Sequence, residues 1–284
     1  MSESTSTKPR SLAEIFNASG SHFDEVTPYV WGPAGAATIK ALNLRPGDHV
    51  LDACAGSAAS ALPAAVAVAP TGQVLAVDLA ADLLALGKAA AERQGLRNIS
   101  FRTGDVTTMR FDRRFDAVCC AYGVFFLPSM DSDVTTLLRA VRPGGRFAFT
   151  VWHDDALYDF TKAFLEAVTA RSGGPGAFGG SADGQPHPIT RIDTEAKISA
   201  WASSLGAVDV TTTVERIRVP RSDDFCWALV LGSGLRGHLL DLDAGHIADV
   251  RDRFLALLTE RGISEIKCDS LIVSGRTPDS GDDN

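Results

Sequence analysis

The chain has 284 residues, enough on a prior of about 150 per domain for one large domain or two small ones with a sizeable buried core. Apolar residues make up 45% and charged residues 22%, a balance that excludes a mostly disordered chain. With a net charge of −8 and one adjacent basic pair, Arg113-Arg114, the chain offers no phosphate-tracking stripe, so no nucleic-acid partner is expected.

The opening segment MSESTSTKPRSLAEIF lacks the apolar centre of an export signal, which makes a cytoplasmic location the expectation. The apolar stretch Ala58 to Ala69 is well short of the roughly 18 to 20 residues of a bilayer span, and no membrane anchor is expected. Five cysteines without CxxC spacing and six scattered histidines predict free thiols and no metal site. Cys119 and Cys120 are consecutive in an apolar run, so on a strand they would face opposite sides of a sheet.

In chain order, residues 1 to 41 read as a polar start followed by an N-terminal helical cap in which His22 sits among Phe16, Phe23, Tyr29 and Trp31. From Asp48 onward short β-branched runs alternate with Ala- and Leu-rich stretches, the pattern of a parallel sheet covered by helices. Strands are expected at 49–53, 73–78, 99–103, 115–121 and 146–152, with helices at 58–69, 81–94, 131–141 and 155–171. Pro63 inside the first of these helices favours a late start near Ser60.

Residues 172–190 carry six Gly and three Pro, too many for a regular element, and read as a lid or mobile connection. A helix capped by Asp193 or Thr194 follows, with Ile198, Trp201 and Leu205 on one face and Gly206 at its end. A long strand is expected at 208–219 and a last one at 266–274, and between them 222–262 is helical in pattern. The resulting α/β architecture is a doubly wound, mostly parallel seven-stranded sheet. Its main domain covers 42–221 with 263–276, a helical lid at 222–262 is inserted before the last strand, and 277–284 form a polar, acidic tail.

The chemistry concentrates in HVLDACAGSAAS, residues 49–60, where an apolar strand runs into a turn of very small residues and then a helix. Small residues let a ligand approach backbone amides, and a helix N-terminus adds unpaired N–H groups and partial positive charge. Gly56 lies 22 residues before Asp78, which ends the next strand, VLAVD. A carboxylate there can accept from both hydroxyls of a ribose. Asp105 follows the third strand in RTGDV, Ala121-Tyr122 ends the fourth, and VRPGGRF leads into the fifth.

With this ordered set the sequence resembles the class I S-adenosylmethionine-dependent methyltransferases, particularly the small-molecule, ubiquinone-biosynthesis-like branch, from about Leu42 to Trp152 and weakly again over 201–210. The resemblance implies a Rossmann-like fold and S-adenosyl-L-methionine as cofactor. It implies that Asp52, Ala53, Cys54, Ala55, Gly56 and Ser57 line the methionine end, that Asp78 holds the ribose, and that Leu79 and Leu83 pack against adenine. Gly104, Asp105 and Val106 would lie at the adenine edge, and Ala121 and Tyr122 on the methionine side. Cys54 and Ala58 stand where the family usually has glycines, and a Cβ there disfavours positive φ.

An activated sulfonium methyl needs mainly an in-line nucleophile and exclusion of water, with a histidine as the usual base for a hydroxyl or protonated amine. His153, in VWHDD beyond the fifth strand, is the first candidate, followed by Tyr122 and His22. Tyr29, Trp31 and Arg236 are candidates for holding a small-molecule acceptor. The expected activity is methyl transfer to an oxygen, nitrogen or carbon of a secondary metabolite or quinone-like molecule, by a monomer or homodimer. Two alternatives use the same scaffold. One holds the cofactor structurally while the protein promotes a cyclisation or serves as a binding module. The other is a nicotinamide-dependent dehydrogenase, which would want glycines nearer Cys54 and Ala59.

Overall fold

A computed structural model describes residues 11–111, 114–172 and 187–279. The expected frayed ends, and most of the glycine-rich stretch at 172–190, lie outside the described residues. Chain order runs α1 (Leu12–Val26), α2 (Trp31–Leu42), β1 (His49–Ala53), α3 (Ala61–Val68), β2 (Gln73–Asp78), α4 (Ala81–Arg93), β3 (Ile99–Thr103) and β4 (Phe115–Ala121). It continues with α5 (Met130–Arg139), β5 (Val141–Trp152), α6 (Tyr158–Ser172), α7 (Glu195–Ser204), β6 (Val208–Glu215), β7 (Arg218–Pro220), α8 (Asp223–Leu231), α9 (Ala244–Glu260), β8 (Glu265–Lys267) and β9 (Ser270–Arg276).

Seven strands form one sheet in the order β3-β2-β1-β4-β5-β9-β6. The five from β1 to β5 are parallel, and β9 runs antiparallel to both β5 and β6. This is the mostly parallel Rossmann-like sheet expected, and strand order reverses between β1 and β4, where ligands bind in open α/β sheets. The central strands are apolar on both faces because helices cover both. Val50, Ala117 and Cys119 pack with Ala61, Ala64, Ala65 and Val68 of α3 on one side. Leu51, Val118 and Cys120 pack with Val134 and Leu137 of α5 on the other. Cys119 and Cys120 thus face opposite sides, and all five cysteines are free.

A third apolar cluster lies beside the sheet. It joins Val26, Val30 and Trp31 to Phe160 and Phe164 of α6, Phe225 and Leu229 of α8, and Phe254 and Leu258 of α9. The helices between β7 and β8 are therefore packed into one body with α1, the start of α2 and α6, with Phe254 fully buried edge-on to Phe160 at 5.0 Å.

Several boundaries differ from the sequence expectation. The helix expected over 58–69 has the late start that Pro63 favours, at Ala61 with Ser60 as its N-cap, after a turn that spans Cys54 to Ser60. The fifth strand begins at Val141 rather than 146, with its pairing to β4 shifting between Phe115 and Ala117. The long strand 208–219 breaks at 216–217 and the last strand breaks at Cys268–Asp269, so β7 and β8 leave the main sheet as a separate antiparallel pair. Asp269 holds the break, accepting from the Ile217 amide at 3.0 Å and from the Arg218 guanidinium. The 222–262 stretch is two helices around a short 3-10 turn at Gly234–His238. No helix among the described residues is long and apolar enough to cross a membrane.

Candidate active site

Beyond the carboxyl ends of the parallel strands lies a cavity of about 860 Å³, within the range of small-molecule sites. Its floor is the turn after β1. Cys54, Gly56 and Ala58 all have left-handed backbone, with φ of 58°, 52° and 69°. Only glycine adopts this freely, and the two residues with a Cβ store roughly 1–2 kcal/mol each. The turn is over-determined by its neighbours. The Gly56 amide donates to Asp78 Oδ2 at 2.8 Å and the Ala55 amide to the Val77 carbonyl at 2.9 Å. Two further glycines let helices press onto it. A Cβ at Gly35 of α2 would lie 2.9 Å from the Ser60 amide nitrogen, and one at Gly87 of α4 would lie 2.8 Å from the Ala58 Cβ.

Asp78 lines the cavity, and its other oxygen, Oδ1, accepts from the Ala80 amide at 2.8 Å. Burial raises its pKa, opposed by the amides of Ala80, Gly56 and Leu79. Asp105 also lines the cavity; its Oδ1 accepts from the amide and hydroxyl of Thr107 at 2.9 and 2.7 Å, and Oδ2 takes no hydrogen bond within the described chain. Gly104, Val106, Leu79, Leu83, Ala55, Cys54 and Ala121 line the same space. Leu79 is 44% exposed, an apolar side chain presented to a ligand rather than to the core.

Asp52, Ala53 and Ser57 do not form the cavity wall. They are buried behind it. Asp52 Oδ2 accepts from the Ser60 hydroxyl at 2.6 Å while Oδ1 has no hydrogen-bond partner among the described residues, and burial, chiefly, pushes its pKa up to about 7. The Ser57 hydroxyl is likewise buried without a partner. The Cys54 thiol is raised by its hydrogen bond with Cys120 and by burial, which makes it a packing group rather than a nucleophile.

Beside the turn, Phe23, Trp31, Tyr122 and Trp152 form a continuous aromatic wall whose Phe23 ring reaches Gly56. Phe23 stacks on Trp31 at 5.2 Å, and Tyr122 lies 5.3 Å from Trp31 and 4.3 Å from Trp152. Tyr122 has left-handed backbone, with φ of 57°. Its hydroxyl is 2.5 Å from Ser270 Oγ on β9, and its ring joins the aromatic wall. Tyr122→Phe is therefore expected to cost about 1 kcal/mol of stability in urea unfolding and to leave turnover within a few-fold, the opposite of what loss of a proton-transfer group does.

His153 lines the cavity. Its Nδ1 lies 2.9 Å from carboxylate oxygens of both Asp154 and Asp155, and its Nε2 lies 3.7 Å from Glu195 on the first turn of α7. His153, Asp154 and Asp155 bring ligand atoms within 4.8 Å of one another, a gathering that the imidazole between the acids accounts for.

His22, Tyr29 and Arg236 lie outside the wall. The His22 carbonyl abuts Gly232, so that stretch of α1 packs on the end of α8. Tyr29 is half-exposed and sits edge-on to Phe225 at 5.5 Å. Arg236 turns back to the Leu231 carbonyl at 3.4 Å, while its neighbours Ser233, Gly234 and Leu235 reach the cavity. Residues the sequence reading did not assign complete the wall. They include Phe125, Phe126 and Leu127 after β4, Leu157 and Lys162 near the start of α6, and His187 and Ile189. The run VFFLP beyond a strand end was the available signal for the first group. His187 accepts from the Ile189 amide on Nδ1 at 3.3 Å, and burial lowers its pKa.

Residues 29–166 match the ubiE/COQ5 methyltransferase family. The chain is 32% identical over 142 residues to the aklanonic acid methyltransferase DauC of Streptomyces sp. strain C5, covering 50% of this chain and 64% of that protein. It is 30% identical over 147 residues to the ubiquinone/menaquinone biosynthesis C-methyltransferase UbiE of Ectopseudomonas oleovorans, covering 50% of this chain and 86% of that one. The chain spans less than two thirds of the length of several curated relatives, 46% of a Bacillus cytotoxicus demethylmenaquinone methyltransferase among them. In three dimensions it is similar to the [4+2]-cyclase SpnF, with a TM-score of 0.59 at 14% identity over 95% of this chain and 96% of that one.

Proposed function

Because the chain belongs to the ubiE/COQ5 methyltransferase family, we propose that its cavity binds S-adenosyl-L-methionine beside a small acceptor and that the protein transfers the methyl group to an oxygen, nitrogen or carbon of that acceptor. The observation that carries this reading is the pair of strand-end carboxylates, Asp78 and Asp105, on one cavity whose floor is a left-handed turn of small residues. The donor set suits the group. Asp78 retains lone pairs for a ribose diol, Asp105 Oδ2 is available to an exocyclic amine, and Leu79 and Leu83 flank the adenine space between them. Cys54 to Gly56 would border the methionine end.

When bound, the cofactor supplies a methyl group already activated on a sulfonium. The protein's share is orientation and exclusion of water. Phe16, Phe125, Phe126, Leu157 and Ile189 give the remaining space apolar walls, which suit a flat, largely apolar acceptor. A relative that acts on aklanonic acid and others named for demethylmenaquinone support a polyketide- or quinone-like ring. With Asp154 and Asp155 at its Nδ1, His153 can present Nε2, which lies 3.7 Å from Glu195, to an acceptor hydroxyl or amine.

Incubating the protein with S-adenosylmethionine and a panel of phenolic and quinol acceptors tests this by mass spectrometry, through a product one methyl heavier that accumulates with time. His153→Gln is expected to lower kcat by about 100-fold or more with unchanged cofactor affinity; unchanged kcat would remove the base. A second reading, in which the bound cofactor is structural and the aromatic wall promotes a cyclisation, draws on the fold likeness to SpnF. Cofactor binding without any methylated product would favour it.

A further inference from the structure

Asp78 lines the cavity and Asp52 lies fully buried behind its floor, and among the described residues neither carboxylate is paired with a cation. The groups that face Asp52 are the Ser60 hydroxyl and Ala61 amide from the start of α3, the Cys119 thiol from β4, and the Asp78 carboxylate from β2. Cys54, in the turn between them, feels both acids as repulsive. Asp78 is met by the backbone amides of Ala80, Gly56 and Leu79. Among the described residues no Lys, Arg or His pairs with either acid. Asp52 is fully buried, yet among the described residues its Oδ1 has no hydrogen-bond partner. A buried carboxylate left this way is costly when ionised unless a positive charge arrives nearby.

Resting on the proposed methyl transfer, we infer that this uncompensated carboxylate pair makes the site charge-selective: it favours the sulfonium cofactor over its neutral demethylated product, and Asp52 releases its proton as the cation binds. The two ligands carry the same α-amino and carboxylate groups and differ by one methyl group and the positive charge it places on sulfur, and in a low-dielectric site one unit of charge is strongly felt. The balance is simple. The proton on Asp52 leaves to solvent when S-adenosylmethionine enters, and the carboxylate takes a proton back once transfer has left a neutral thioether. Asp52 thereby weakens product binding without touching the product, and the discrimination fades at acid pH, where Asp52 stays protonated.

The test is calorimetric titration of the full chain with S-adenosylmethionine and, separately, with S-adenosylhomocysteine, in buffers of low and high ionisation enthalpy from pH 6 to 8. The expected result is proton release with the sulfonium ligand only, whose affinity tightens up to about ten-fold across that range, while the neutral ligand's affinity stays within two-fold. Asp52→Asn should flatten the first curve onto the second. Equal proton counts and equal pH slopes for the two ligands with wild-type protein overturn the inference and leave the methyltransferase reading standing. Absence of binding by both ligands overturns that reading as well.

Discussion

Asp78→Ala is expected to weaken S-adenosylmethionine binding by at least about 100-fold, or about 2.7 kcal/mol. The carboxylate does two things at once. It faces the cavity, and its two oxygens accept the Gly56 and Ala80 amides at 2.8 Å each. Removing it deletes a charged acceptor for the ribose, worth about 1.5–3 kcal/mol for hydrogen bonds to a charged group, and orphans two amides that are costly to leave unsatisfied. The Gly56 turn then loses the bond that fixes its left-handed backbone. Asp78→Asn separates the roles, since its one remaining carbonyl oxygen can hold one amide but not the diol as well. Calorimetric Kd values with thermal unfolding of each variant read both effects, and an alanine variant that binds within three-fold of wild type would place the ribose elsewhere.

The second large effect is on stability against pH. Asp52 has its pKa pushed from 3.8 to about 7 in the folded chain, so folding favours the protonated acid. Well below pH 3.8 the group is protonated in both states and costs nothing. As pH rises toward 7 the unfolded chain ionises while the folded one resists. Stability falls by about 1.4 kcal/mol per unit, up to about 4 kcal/mol in all, and levels off above the folded value. Asp78 is shifted the same way by burial. Asp116 and Asp131 are lowered, mainly through the His49 amide and Arg142 for the first and Arg191 for the second, and oppose the trend, losing stability as pH falls. The clean observable is therefore the difference between wild type and Asp52→Asn, whose amide oxygen still accepts from Ser60. Urea unfolding at pH 5 and pH 8 should show the variant gaining on wild type as pH rises. Parallel curves would mean that Asp52 titrates normally.

The alternation of apolar runs with Ala-rich stretches made β1 to β5 legible because both faces of each strand are covered, so the signal is local. The break in the strand after β6 was not. Val214 to Val219 read without Gly or Pro as one β-branched run, and what ends it is Asp269, which sits 52 residues on from the Ile217 amide it accepts. The cofactor side of the cavity was similarly local, since strand-end acids and a turn of small residues are adjacent in sequence to the strands that carry them. The proposed acceptor side draws on Phe16, Phe125, Leu157, His187 and Leu235, five distant segments with no shared spacing. Tyr122 shows the limit clearly: the end of β4 was readable, but its hydroxyl partner Ser270 lies 148 residues away, and only the fold brings the two hydroxyls together.

A crystal structure with S-adenosylhomocysteine bound tests the central claim most directly. The account predicts the ribose hydroxyls on Asp78, the adenine amine on Asp105 Oδ2, and the sulfur facing the aromatic wall of Tyr122 and Trp152. A nucleoside bound elsewhere, or a cavity that stays without it at saturating ligand, would contradict it.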